Sequence, residues 1–252
     1  MPPLSAVVIT FNEERNIERC LRSLQGVADE LVVVDSYSTD RTEEICKALG
    51  ARFIQHAFEG YIAQKNWAAA QAAHPHVLSL DADEELSEPL RQAILRAKAD
   101  WQADGYTFNR LTNYCGTWIR HSGWYPDRKL RLWDSRLGSW QGEDPHDKYV
   151  LRPGCSTQHL PGDLLHYSYH SIAQHVNQIA KFSQIAARER FRKGRRVSIV
   201  HLVFHPIFIF FKKYFLKMGM LDGYAGFVIA VLSAYGVFIK DLFLREHWQN
   251  QG

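Results

Sequence analysis

The sequence predicts an α/β protein in which an open, mostly parallel sheet carries helices on both faces and is followed by a helical, membrane-associating region. Three observations predict it. Short β-branched runs alternate with helical patterns as far as residue 81, polar clusters close three of those runs, and the chain turns basic and apolar toward its end.

Residues 4–10 form an apolar run suited to a buried parallel strand. Phe11-Asn12-Glu13-Glu14 breaks it, and 15–24 carries Ile17, Leu21 and Leu24 at helical spacing. Residues 30–34 predict a second strand, 42–49 a helix closed by Gly50, and 51–54 a third strand. A helix over 60–73 holds Gln64, Lys65 and Asn66, and a fourth strand, 77–80, runs into Asp81-Ala82-Asp83-Glu84-Glu85. In open sheets of this kind ligands bind beyond the carboxyl ends of the strands. The clusters at 10–13, 35–40 and 81–85 would share that rim.

Four acids within five residues repel one another unless positive charge sits among them. Mg²⁺ or Mn²⁺ would supply it and could bridge carboxylates to phosphates. Asp81 and Asp83, two apart on an extended backbone, would face the same side. The alternative is that Asp83-Glu84-Glu85 opens the next helix, where acids favour the dipole. No Gly-x-Gly-x-x-Gly follows the first strand and no Gly-x-x-x-x-Gly-Lys occurs, which disfavours dinucleotide and P-loop sites.

The chain has 252 residues, 46% of them hydrophobic, and a net charge of +3 that hides an asymmetry. From Lys181 onward there are 12 Lys/Arg against 4 Asp/Glu; the rest has 18 against 23. A basic tail on an acidic body suits an anionic surface. Cys20, Cys46, Cys115 and Cys155 show no metal spacing and fit a reducing compartment, and no signal peptide is expected at the N-terminus.

Val8-Ile9-Thr10-Phe11-Asn12-Glu13, Val33-Val34-Asp35-Ser36 with Ser38-Thr39-Asp40, Gln64-Lys65-Asn66 and Asp81-Ala82-Asp83-Glu84 stand in the order found in family 2 glycosyltransferases, which the chain resembles. The resemblance implies a GT-A fold, a Rossmann-like architecture, and a nucleotide-sugar donor. It places Thr10, Asn12 and Glu13 around the nucleoside, Asp35 on the base, Lys65 near the nucleotide, and Asp81 and Asp83 on ribose and metal. Tyr37 stands where the family often has glycine. Structural alternatives are that Asn12 and Asp40 only cap helices.

Residues 87–98 predict an amphipathic helix, and Gly105-Tyr106-Thr107-Phe108 starts another strand. Residues 109–133 then interleave aromatic and basic side chains, among them Trp124, Tyr125, Arg128 and Arg131. Such alternation suits sugar rings and anionic groups and marks these four as acceptor-binding candidates. Nucleic acid is disfavoured because the run is short and its surroundings acidic.

A loop over 140–148 holds Glu143, Asp144, His146 and Asp147. An inverting transfer needs a carboxylate to take the proton from the acceptor hydroxyl. In the lipopolysaccharide-core type of family 2 enzymes a His-acid pair after a Pro-containing turn stands here. Asp147 is therefore the expected base, with Asp144 and then Glu143 as alternatives. His166, after an apolar pair, is a candidate third metal ligand beside Asp81 and Asp83.

A helix over 170–191, a basic cluster over 188–196, and apolar runs over 197–211 and 224–239 make up the tail. Each run is shorter than the roughly 20 residues of a straight span, which favours docking on anionic lipid. A helical homodimer interface and a buried hairpin are the competing readings. Tyr125-Pro126-Asp127, Leu164-Leu165-His166-Tyr167-Ser168 and Gly219-Met220-Leu221-Asp222-Gly223 resemble bacterial lipopolysaccharide-core β-glucosyltransferases. That resemblance implies UDP-glucose as donor, a lipid-linked saccharide as acceptor, and the cytoplasmic face of the bacterial inner membrane. The expected domains are 1–165, the transferase, and 166–252, the docking region. A nucleotidyltransferase or a non-catalytic nucleotide-binding membrane protein are the alternative functions.

Overall fold

The computed structural model describes residues 2–143 and 146–250, without the side chains of Glu143 and His146. The chain divides into two compact units, Met1–Arg110 with Asp127–Tyr167, and Leu111–Pro126 with Ser168–Gly252.

In the first unit the strands β1 (Leu4–Thr10), β2 (Glu30–Asp35), β3 (Arg52–Gln55) and β4 (His76–Asp81) alternate with helices α1 (Ile17–Leu24), α2 (Thr42–Ala48) and α3 (Tyr61–Ala70). They pair in parallel in the order β3-β2-β1-β4. Successive residues point to opposite faces of a strand, and both faces here are buried. Ala6, Val8, Val33, Leu78 and Leu80 pack with Leu21 and Leu24 of α1 and Ile94 of helix α4 (Glu88–Ala99). Val7, Val32, Val34 and Val77 pack on the other side with Ala68 of α3. Continuous apolar runs follow from that two-sided burial.

Beyond β4 the sheet changes character. Strand β8 (Asp127–Asp134) lies antiparallel to β4, and β6 (Gly105–Tyr114) antiparallel to β8. The short β5 (Glu84–Leu86) pairs antiparallel with β11 (Thr157–Tyr169). Glu84 therefore sits in a strand, and the next helix waits for Ser87, whose hydroxyl accepts from Leu90 N. Residues 140–143 and 146–148, in the stretch expected as a loop, belong to the antiparallel strands β9 (Gly138–Glu143) and β10 (His146–Leu151). Trp140 pairs with Tyr149, and both rings pack on Trp133, which gives the strand pair its apolar face.

In the second unit, β7 (Thr117–Ile119) pairs with the end of β6. Helices α5 (Ile172–Arg192), α6 (Ile199–Phe211) and α7 (Gly223–Gln249) make up most of the rest. Asp222 ties the 120–122 turn to the start of α7, accepting from Arg120 N at 3.2 Å, His121 N at 2.9 Å and His121 Nδ1 at 2.8 Å. The helical segments are longer than the apolar runs alone predict. Ile199–Leu216 and Gly219–Gln249 are each long and apolar enough to cross a membrane. They gain that length because the helix continues through flanking polar residues.

Candidate active site

A cavity of about 600 Å³ opens at the carboxyl ends of β1 and β4, lined by Thr10, Glu13, Ser36, Gln64, Asp81, Asp83 and His166 among others. Its walls begin with the first two strand ends, which are laced together. Asn12 N donates to Ser38 Oγ at 2.7 Å, and Thr39 N donates to Asn12 Oδ1 at 2.8 Å. Glu13 N reaches Thr42 Oγ1 at 2.9 Å, and Asp40 Oδ2 accepts from Glu14 N at 3.0 Å. Asn12 thus uses its side chain to join two loops. Asp35 is fully buried, and its carboxylate accepts from the backbone N–H and the hydroxyl of Ser38. Tyr37 has φ of +62°, the left-handed region that glycine enters at less cost, so the turn keeps its shape without glycine.

The acids at the rim carry partners of their own. Asp81 Oδ1 lies 3.0 Å from Lys65 Nζ, and Asp81 Oδ2 lies 2.9 Å from Arg131. Burial alone would raise the Asp81 carboxyl, but Lys65 and Arg131 outweigh it and hold it well below the usual carboxylate range. Arg131 also reaches Glu84 Oε1 at 2.8 Å, and Arg110 approaches that oxygen at 3.5 Å. Asp147 Oδ2 sits 2.8 Å from the same Lys65 Nζ. Burial pushes Glu13 up, helped by Asp83 and opposed by Asn16.

Asp83 is met differently. Its Oδ2 is 3.2 Å from His166 Nε2, and that imidazole overcomes the effect of burial to lower the carboxyl. Asp81 and Asp83 line the same cavity, but β4 ends at Asp81 and a turn carries Asp83, so the two carboxylates meet different partners. One acid points to Lys65 and Arg131, the other to His166. Of the expected metal residues Asp81, Asp83 and His166, the last two are in direct contact, while the Asp81 carboxylate is engaged by Lys65 and Arg131. A carboxylate oxygen and an imidazole nitrogen 3.2 Å apart fit adjacent positions on Mg²⁺ or Mn²⁺, whose remaining positions suit phosphate oxygens and water.

Other expected residues fall elsewhere. Arg131, expected among acceptor contacts, is 3% exposed and belongs to the ion-pair cluster. Arg128 is exposed on β8. In the second unit Trp124 packs against Tyr114, Tyr169 and His175, and Arg120 lies 5.6 Å from the Tyr125 ring. Asp144 lies outside the described residues, as do the side chains of Glu143 and His146. Glu84 and Arg110 were not singled out by the sequence; only the run of acids hinted that arginines would gather there.

The fold and this rim define a sugar-nucleotide transferase architecture of the GT-A kind. The sequence model described as glycosyl transferase family 2 matches residues 5–155, and the chain belongs to that family. An uncharacterized glycosyltransferase of Rickettsia typhi is 32% identical over 98% of this chain and 88% of its own length. The lipopolysaccharide core biosynthesis glycosyltransferase LpsC of Rhizobium meliloti is 29% identical, with 94% of this chain and 90% of the relative covered. Among solved structures, glucosyl-3-phosphoglycerate synthase from Mycobacterium tuberculosis in complex with Mn²⁺, UDP and glucosyl-3-phosphoglycerate aligns with a TM-score of 0.36 and 25% identity over 44% of each chain.

Proposed function

We propose that this family 2 glycosyltransferase moves glucose from UDP-glucose, with inversion, to a lipid-linked saccharide of the lipopolysaccharide-core kind at the cytoplasmic face of the inner membrane. The observation that carries the donor reading is the Asp83–His166 pair at the edge of the cavity. A divalent cation held by Asp83 and His166 would neutralise charge on the departing diphosphate. Thr10, whose hydroxyl is buried without a hydrogen-bond partner, and Glu13 offer polar atoms to the nucleoside. Lys65, paired with Asp81 and Asp147, keeps positive charge behind the acidic rim.

In the transfer the acceptor hydroxyl oxygen bonds to the anomeric carbon as the bond from that carbon to the diphosphate breaks. The hydroxyl proton goes to Asp147, with Asp144 the alternative base. Tyr125 and Arg128 are the proposed acceptor contacts. The kinship with LpsC supports the choice of acceptor class, and the apolar surface of the second unit supports docking on anionic lipid. A melting experiment tests the donor half. UDP with Mn²⁺ should raise Tm, and UDP in EDTA should do so much less. Equal protection in both would overturn the cation-bridged diphosphate.

A further inference from the structure

Within the second unit, α6 and α7 bring together three side chains that sugar transfer does not use. His201 and His205 are four residues apart on α6, so their rings project from one face about a turn apart, with centroids separated by 4.4 Å. Asp241 of α7 meets them and has no exposed surface. His201 Nε2 stands 3.4 Å from Asp241 Oδ2, and His205 Nδ1 stands 3.6 Å from the same oxygen. The three candidate ligand atoms all lie within 4.8 Å of one another.

These separations are too long for strong hydrogen bonds. Both Asp241 Oδ2 and His205 Nδ1 are buried without a hydrogen-bond partner. Arg190 of α5 meets the other oxygen, Oδ1, at 2.8 Å, which leaves Oδ2 facing the two imidazoles. A tetrahedral cation among the three fits this spacing. Ligands about 2.0–2.1 Å from zinc are about 3.4 Å from one another, close to the two distances observed here. The bond from Arg190 then orients the carboxylate, as outer-shell partners of metal ligands do.

We propose that His201, His205 and Asp241 form a second metal site, distinct from the Asp83–His166 pair, that takes a transition-metal cation of the Zn²⁺ class. Two imidazoles and one carboxylate suit Zn²⁺ better than Mg²⁺ or Ca²⁺, and three protein ligands leave a position for water. The ring of His201 is 44% exposed, which gives the ion an entry path. The consequence is mechanical. No residue of α6 is fully buried, so a metal bridge would fasten this lightly packed helix to α7 and, through Arg190, to α5.

The test uses the full chain, stripped with chelator and titrated with Co²⁺. One equivalent should give the intense visible d–d band of tetrahedral coordination, and Zn²⁺ should displace it. His201→Gln/His205→Gln should lose that band while keeping the UDP and Mn²⁺ melting shift. Asp83→Asn should lose that melting shift and keep the band, so failure of the donor reading and of this one are distinguishable. A wild type without a tetrahedral band overturns the proposal, whether or not the double variant folds. So does a band that persists in His201→Gln/His205→Gln or disappears in Asp83→Asn.

Discussion

Lys65 Nζ lies 2.8 Å from Asp147 Oδ2 and 3.0 Å from Asp81 Oδ1, so one buried ammonium joins the tip of β4 to the second strand of the β9–β10 pair. The ammonium also lies over the Trp140 ring, 4.6 Å from its centroid. Removing that charge takes the Lys65 partner from Asp147 in a poorly solvated place, while Asp81 keeps Arg131. Lys65→Met should cost about 3 kcal/mol in urea denaturation, in the range for breaking a buried pair. Adding Asp147→Asn should recover part of it, since one stranded charge disappears. Additive losses in the double variant would show that the two side chains are not coupled.

Asp147 and Asp83 should separate in function. Asp147→Asn keeps shape and should leave UDP binding in the presence of Mn²⁺ intact. Turnover should fall by about 10²- to 10⁴-fold, the usual contribution of a general base. Asp83→Asn should weaken UDP binding itself. The check is a melting shift with UDP and Mn²⁺ beside released UDP under multiple turnover. Undiminished turnover in Asp147→Asn would move the base elsewhere.

The parallel half of the sheet was legible because strands buried on both faces are nearly continuous apolar runs, as 31–34 and, Ser79 apart, 77–80 are. The antiparallel half was not. Arg131 lies between Leu130 and Leu132 in a segment rich in aromatic and basic residues, and alternation alone does not say which face is solvent. Only the pairing of β8 with β4 turns that arginine inward, toward Asp81 and Glu84. Asp83 was picked out by its motif, but its separation from Asp81 depends on a turn that spacing does not reveal. His201 and His205 carried a readable signal, two histidines at i and i+4. Asp241 joins them only through the packing of α6 on α7, which no local pattern encodes.

His175 predicts a pH dependence. Its ring packs beside Tyr114, Trp124 and Tyr169, and its Nδ1 lies 3.0 Å from the Tyr114 hydroxyl. Burial pushes its pKa down to about 4, whereas an unfolded histidine titrates at about 6.5. Between those values the unfolded chain binds more protons, so stability rises with pH there and is lost as pH falls from 6.5 toward 4. The loss is at most about 3 kcal/mol. His175→Leu should be less stable at neutral pH, because Tyr114 loses its partner, yet should show a shallower fall between pH 7 and 5. An unchanged slope in denaturant midpoints would assign the pH dependence to other groups.

The surface of α6 predicts where the protein docks. Phe204, Phe208 and Phe211 are 63%, 56% and 53% exposed, and Ile199, Val200, Val203 and Ile207 are exposed beside them. Inserting one such ring into lipid gains on the order of 1.5–3 kcal/mol by area. Phe204→Ser/Phe208→Ser should therefore reduce co-sedimentation with vesicles containing anionic lipid by well over tenfold. Raising salt should weaken the basic contribution from 188–196 while sparing the apolar one. The competing reading, a helical dimer interface, makes the opposite forecast. There the wild type would sediment as a dimer without lipid, and the same double variant would become monomeric with vesicle binding unchanged. Sedimentation velocity and vesicle pelleting on one preparation decide between them, because α6 cannot bury the same phenylalanines against lipid and against a second copy.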